Sequence, residues 1–313
     1  MKKILGLFVT SALIVTGCQA DKAQVGAVEY ETRPAKVVEK REPTEAEKIM
    51  EDFNRLLAKE PREDEVYDFI KSKIKKVSTE YADELVIGYE RVQNSTFRNR
   101  HQFMMKDEVQ AICINNFKLG GVPEDLSTVK DVGLRIYIED LKKTGYKLVV
   151  KDGKYLPEID YTFYDGFKEY ISEEMVTYLD LMEFRKELLF DADQRLPITW
   201  DEVFDRIIKF ESFLTRFPDS QKRDTVWLNY EYYTKLYLYG TEGTPAFNHS
   251  NNELDDWLKV SYSNIYLGNT GSEFIKYFRD YLQVMDSEEY VLTEAVDSER
   301  NTVLYNLDMQ LIY

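Results

Sequence analysis

The chain has 313 residues, with 57 acidic against 41 basic side chains and a net charge of −16. A body so acidic, with no arginine-rich stripe to offset it, is repelled by phosphate backbones, which excludes nucleic acid as a partner. A hydrophobic fraction of 43% beside 31% charged residues is that of a folded, water-facing protein, long enough for one large domain or two ordinary ones.

The N-terminus reads as an address. Lys2 and Lys3 precede an apolar run from Ile4 to Val15, which closes in Val15-Thr16-Gly17-Cys18. A positive start, a short apolar core and small residues at a cleavage point make a secretory signal over residues 1–17, and the core is too short to span a bilayer. The closing residues resemble the lipobox of bacterial membrane lipoproteins. That resemblance implies cleavage before Cys18, a diacylglyceryl anchor on its sulfur, and an extracytoplasmic protein attached to the cell membrane. Two acyl chains hold a protein stably where one does not. Loss of Lys2 and Lys3 with the signal takes the charge to −18. Anionic head groups repel such a body, so the domain is expected to stand off the membrane. With Cys18 lipidated, Cys113 is left without an internal disulfide partner, and stability rests on packing.

Residues 18–43 mix Ala, Val, Glu, Lys and Pro without apolar periodicity and read as a flexible tether with a reach of about 25–30 Å. An N-terminal helical region is expected over residues 44–145. Thr44-Glu45-Ala46-Glu47 has the form of a capping box, followed by Ile49, Phe53, Leu56 and Leu57 at helical spacing until Pro61. Further helices are predicted from Glu63 to Val77, from Thr79 to Asn94, from Lys106 to Lys118 with Gly120-Gly121 as its stop, and from Leu134 to Lys143 before Gly145. Two strand-like runs, 146–151 and 154–159, then flank Asp152-Gly153, whose residues tolerate the positive φ that a tight hairpin needs. Pro157 places the second run on an edge.

Residues 146–313 read as this hairpin plus a C-terminal helical region. Ser172-Glu173-Glu174 opens a helix to about Phe190, and Thr199-Trp200-Asp201-Glu202 is a second capping box, opening a helix to Phe217. Asp219 or Ser220 is expected to cap a helix to Tyr239, ended by Gly240. Helices over Glu253 to Leu267 and Ser272 to Met285, and one or two short ones near Glu289 to Leu311, complete the chain. Phe210-Glu-Ser-Phe213-Leu214-Thr-Arg-Phe217-Pro218-Asp219-Ser220 is similar to the close of a repeat in tetratricopeptide-like bacterial lipoproteins, with a degenerate second copy from Tyr262 to Ser272. Over residues 199–286 the resemblance implies stacked antiparallel helix pairs forming a scaffold that binds other proteins. The offset of 52 residues from Ser220 to Ser272 and the missing Trp-Leu-Gly-Tyr pattern depart from that family. Residues 199–247 also resemble a segment of uncharacterised bacterial surface lipoproteins, which implies no activity. The expected fold class is thus mainly α, with antiparallel helix pairs in a tetratricopeptide-like or irregular array and one β-hairpin near 146–159.

Signatures of catalysis are sparse. His101 and His249 belong to no zinc-binding pattern. Cys113 sits in apolar Ala111-Ile112-Cys113-Ile114 and reads as a buried small hydrophobe rather than a reactive thiol. No nucleophile elbow, phosphate loop or dinucleotide fingerprint occurs, and no cofactor is implied. Asp191, Asp193, Ile198 and Glu202 follow the spacing of a calcium loop, but Arg195 and Leu196 stand where an oxygen ligand and glycine are wanted, so no metal is assigned. Asp255-Asp256 reads as the acidic first turn of a helix. The densest aromatic patch puts Trp227, Tyr230, Tyr233 and Tyr237 on one helical face and Tyr232, Leu236 and Tyr239 on another. Such a helix is either sandwiched in a core or, with Phe247 in the following loop, offers a recognition surface.

The function expected from these features is a lipid-anchored extracytoplasmic scaffold or binding protein without evident catalysis, whose partner is another envelope protein or envelope component. Two alternatives stand beside it: a carboxylate-based hydrolase of cell-envelope glycan, and a solute-binding lipoprotein.

Overall fold

The computed structural model describes residues 41–184, 194–265 and 271–312. The signal, Cys18, nearly all of the tether, the end of the helix expected to reach Phe190, and Asp191 and Asp193 lie outside the described residues. The described residues from Pro43 onward pack as one compact unit, mainly α-helical with one two-stranded antiparallel sheet. Among the described residues no helix is long and apolar enough to cross a membrane.

The first helices are α1 (Glu45–Leu57), α2 (Glu63–Lys73) and α3 (Thr79–Met104), followed by α4 (Asp107–Phe117) and α5 (Val132–Lys143). Thr44 and Glu47 form the reciprocal capping box, with Glu47 N donating to Thr44 Oγ1 at 3.2 Å and Thr44 N to Glu47 Oε2 at 2.7 Å. α3 runs ten residues past the expected end at Asn94. No Gly or Pro interrupts it there, and Ser95 and Thr96 turn their hydroxyls back onto Val92 O, at 2.7 and 3.2 Å, so neither competes for a free backbone group. At the end of α4 the left-handed residues are Lys118 (φ 51°) and Leu119 (φ 62°), not the glycines that follow. Gly120 N instead closes the turn on Phe117 O at 2.8 Å.

The hairpin is β1 (Tyr146–Lys151) and β2 (Lys154–Ile159), in the register Lys151↔Lys154 through Leu148↔Pro157 to Tyr146↔Ile159. Asp152 (φ 51°) and Gly153 (φ 70°) both take the positive φ of a two-residue turn. With that turn, the pairs alternate so that Tyr155 and Pro157 direct their backbone nitrogens away from β1. The proline therefore costs the ladder no hydrogen bond, and Gln110 satisfies Tyr155.

The remaining helices are α6 (Glu173–Glu183), α7 (Trp200–Arg216), α8 (Arg223–Tyr239), α9 (Asp256–Ile265), α10 (Glu273–Ser287) and α11 (Glu294–Ile312). Pro218 separates α7 from α8, which pack antiparallel: Phe210 stacks on Tyr233 at 5.4 Å, and Phe204 meets Tyr237 at 5.8 Å. Neither Asp219 nor Ser220 caps α8. Its N-cap is Lys222, without a side-chain bond, while Ser220 Oγ accepts Lys222 N in the preceding turn. The last helix is single, spanning 19 residues.

Buried side chains form two clusters. The larger joins α1–α3 to α6–α11, and the smaller gathers Met104, Cys113, Leu134, Ile138, Leu141, Tyr146, Leu148 and Tyr155. The hairpin thus buries one face against α4 and α5, and its other face is left for a groove.

Candidate functional site

That other face carries Lys147, Val149 and Lys151 from β1 and Leu156 and Glu158 from β2, since residues paired across the strands share a side of the sheet. Opposite stand Met182 and Glu183 at the end of α6 and Asn229, Tyr232 and Tyr233 from α8. Asn94, Phe97 and His101, spaced along one stripe of α3, complete the walls of a groove of about 590 Å³. This volume lies in the range of small-ligand sites, as does the mixture of an aliphatic floor with a few polar groups.

The charges along the hairpin are unevenly matched. Near its base, Lys147 Nζ pairs across the strands with Glu158 Oε2 at 3.4 Å; that oxygen is buried and accepts no hydrogen bond. At its tip, Lys151 and Lys154 face each other without an ion pair among the described residues. Asp152 in the turn accepts Gln194 Nε2 at 3.2 Å. Tyr232 is 43% exposed, and burial of the rest of the ring raises its hydroxyl above the ordinary range.

The aromatic residues singled out from sequence do not form an exposed surface. Tyr230, Tyr233, Tyr237 and Phe247 are buried, and Trp227 is half-buried against the larger core. The reason is packing on both faces of α8. Tyr237 is ringed by Trp200, Phe204, Tyr262, Phe274 and Phe278, its hydroxyl lies 2.8 Å from Ser261 Oγ, and its carbonyl accepts Tyr262 OH at 2.9 Å. Tyr233 OH accepts from buried Arg206 at 3.2 Å. Of that group only Tyr233 reaches the groove, beside Tyr232 from the other face.

His101 lines the groove, its ring 6.1 Å from Phe97, and His249 lies exposed in a loop. Cys113 is fully buried, and burial first, then the nearby Asp131 carboxylate, pushes its thiol up to about 11. Thr199 and Glu202 form the capping box of α7. Asp255 Oδ1 caps α9 through Leu258 N at 2.9 Å and also accepts the Trp200 indole N–H at 3.0 Å. Among the described residues no group of three His, Cys, Asp or Glu side chains could hold a metal ion.

Two buried ionic clusters were not anticipated. Glu90, on α3, accepts from Lys222 and from Tyr178 OH, and Tyr161 OH lies 3.4 Å away; Lys222 Nζ also sits 4.9 Å over the Tyr178 ring. Burial, with that carboxylate beside it, holds the Tyr178 hydroxyl far above its ordinary range. Glu63 and Asp140 flank Arg100, at 3.0 and 2.8 Å, and the guanidinium lies 4.8 Å over Tyr146. The one available signal was phase: Glu90 falls four residues after Val86 on the apolar stripe of α3. Lys222 answers Glu90, and Arg100 with Arg62 answers Glu63 and Asp140, so both clusters join helices, whereas the groove is an open concavity in which Lys151 has no ion pair among the described residues.

No family model, no curated protein and no solved structure matches this chain.

Proposed function

We propose that the protein is an exported, lipid-anchored binding protein that holds an envelope component in the groove between the hairpin, α3, α6 and α8. The observation that carries the reading is the groove itself: an aliphatic floor of Val149 and Leu156 with amides, lysines and an exposed tyrosine on its walls. The anchored location rests on the N-terminal residues, from Lys2 to Cys18, where a diacylglyceryl group would tie the chain to the membrane.

Crosslinking on intact cells tests both parts. The wild-type chain is expected to carry lipid label and to recover a discrete partner, while Cys18→Ala abolishes the label and leaves unprocessed or released protein. Unchanged labelling of Cys18→Ala would remove the anchor. Partner recovery that survives Val149→Trp would remove the groove.

One observation favours a second reading, a glycan hydrolase: Glu158 and Glu183 both line the groove, and glycoside hydrolysis uses paired carboxylates. Turnover of envelope glycan that disappears in both Glu158→Gln and Glu183→Gln would establish it. The mainly α-helical fold lends no support to a two-lobed α/β solute-binding protein.

A further inference from the structure

We propose that the groove receives a short extended peptide by its free C-terminal carboxylate, which lies between Lys151 and Lys154 at the hairpin tip. The proposal rests on the groove being the binding site. Register puts the two lysines directly opposite each other on the groove face, with Val149 and Leu156 as the next pair inward. Like charges directly opposite one another destabilise a strand pair. Neither ammonium has an ion pair among the described residues, and the carboxylate of Asp152, in the turn between them, is engaged by Gln194 at 3.2 Å. The contrast lies within the same hairpin, where Lys147 at the other end is matched by Glu158. In a chain of net charge −16, Lys151 on the lining of an apolar-floored groove, with Lys154 paired opposite it and neither in an ion pair among the described residues, is complementary to an anion with an apolar neighbour.

The dimensions and the walls select a peptide. From Lys147 to Lys151 the strand covers roughly 13 Å, and three extended residues cover roughly 10 Å. The next pair on the groove face, Val149 and Leu156, gives the last side chain an aliphatic seat. The Asn94 side chain makes no hydrogen bond among the described residues, and Asn229 donates to Thr225 O at 2.7 Å but keeps its Oδ1 free among them. Both amides suit peptide N–H and C=O groups, which an acyl chain would not supply. Bound in this way, the carboxylate accepts from the two ammonium groups and no bond is made or broken.

The experiment is calorimetric titration of the full-length chain in detergent with Ala-Ala-Leu and Ala-Ala-Phe, each as the free acid and as the C-terminal amide, and with octanoate. The free acids are expected to bind at least about tenfold more tightly than the amides, the scale of one charge-assisted hydrogen bond. Lys151→Gln/Lys154→Gln is expected to bind both forms equally weakly; neither side chain has an ion pair to lose among the described residues, so the variant is expected to fold at least as stably. Val149→Trp and Asn229→Trp, from opposite walls, are expected to abolish binding. Equal binding of acid and amide, lost in both tryptophan variants, would overturn the carboxylate proposal and leave the groove standing. Binding that persists in both tryptophan variants would overturn the groove as well. No binding of either peptide, or octanoate binding as tightly as the acids, would overturn the peptide.

Discussion

At Gln110 one side-chain amide stands in for a third β-strand. Its Nε2 donates to Tyr155 O at 2.8 Å and its Oε1 accepts Tyr155 N at 2.9 Å, on the edge of β2 that turns away from β1. Nε2 also donates to Met104 O at 2.6 Å, so Gln110→Leu leaves three backbone groups unmet and is expected to cost about 1–3 kcal/mol for each that stays buried, read as a lower urea midpoint. Lys154 makes the opposite case, a residue whose presence weakens the fold. Lys154→Glu replaces a like pair by an opposite one across from Lys151, so it should stabilise the chain by about 0.2–1 kcal/mol in thermal melting while reducing peptide-acid binding. A variant both less stable and unchanged in binding would contradict the account of the tip. Cys113 illustrates burial acting on chemistry: with its thiol held near 11, it should resist iodoacetamide at pH 8 in the folded chain and react once urea exposes it.

Among the elements, the junction between α5 and β1 is tightly constrained. Gly145 has φ +71°, and a Cβ there would meet Gln93 Nε2 at 2.5 Å and Phe163 Cδ1 at 2.8 Å. Gln93 is held because its Nε2 donates to Thr144 O and Gly145 O, at 2.9 and 3.1 Å, while its Oε1 accepts from Tyr164 OH. Gly145→Ala combines a strained φ with a clash against a hydrogen-bonded amide, and a loss of at least about 1–3 kcal/mol is expected in denaturant titration. The start of α2 and the end of α5 are joined by charge. Asp64 accepts from Lys143 at 2.7 Å and from Arg62 at 3.1 Å, which holds its carboxyl at about 2. Because that value lies below the ordinary one of 3.8, the unfolded chain binds the proton more readily, and stability falls as pH drops from about 4 to about 2. Asp64→Asn should flatten that part of the melting-temperature profile; an unaltered profile would mean the pair contributes nothing there.

At the scale of the whole molecule, the Glu90–Lys222 pair ties α3 to the start of α8 across the larger core. The two side chains are only 4% and 12% exposed. Removing one partner strands the other in a low-dielectric interior, so Glu90→Leu alone is expected to cost about 3–5 kcal/mol. Adding Lys222→Met to Glu90→Leu should recover most of the loss, because an apolar pair of similar size needs no compensation. A double variant as unstable as the single one would place the penalty in the lost Tyr178 and Tyr161 hydroxyl contacts instead.

What was legible in the sequence was whatever depends on near neighbours along the chain. The capping boxes at Thr44 and Thr199, the Asp152-Gly153 turn and the amphipathic helices follow from bonds and spacings within a few residues. Where local signals are equivocal the expected and observed boundaries differ, as at the end of α3 and at Lys118-Leu119, where two non-glycine residues take the left-handed conformation expected of glycine. The aromatic helix shows the limit most plainly. Sequence placed Tyr233 and Tyr237 on one face, but whether that face met solvent or Phe210 and Phe278 depended on chain 20 or more residues away. The groove is of the same kind. Its lysines, tyrosine and amides lie on β1, α8 and α3, far apart in sequence, and only packing brought them together.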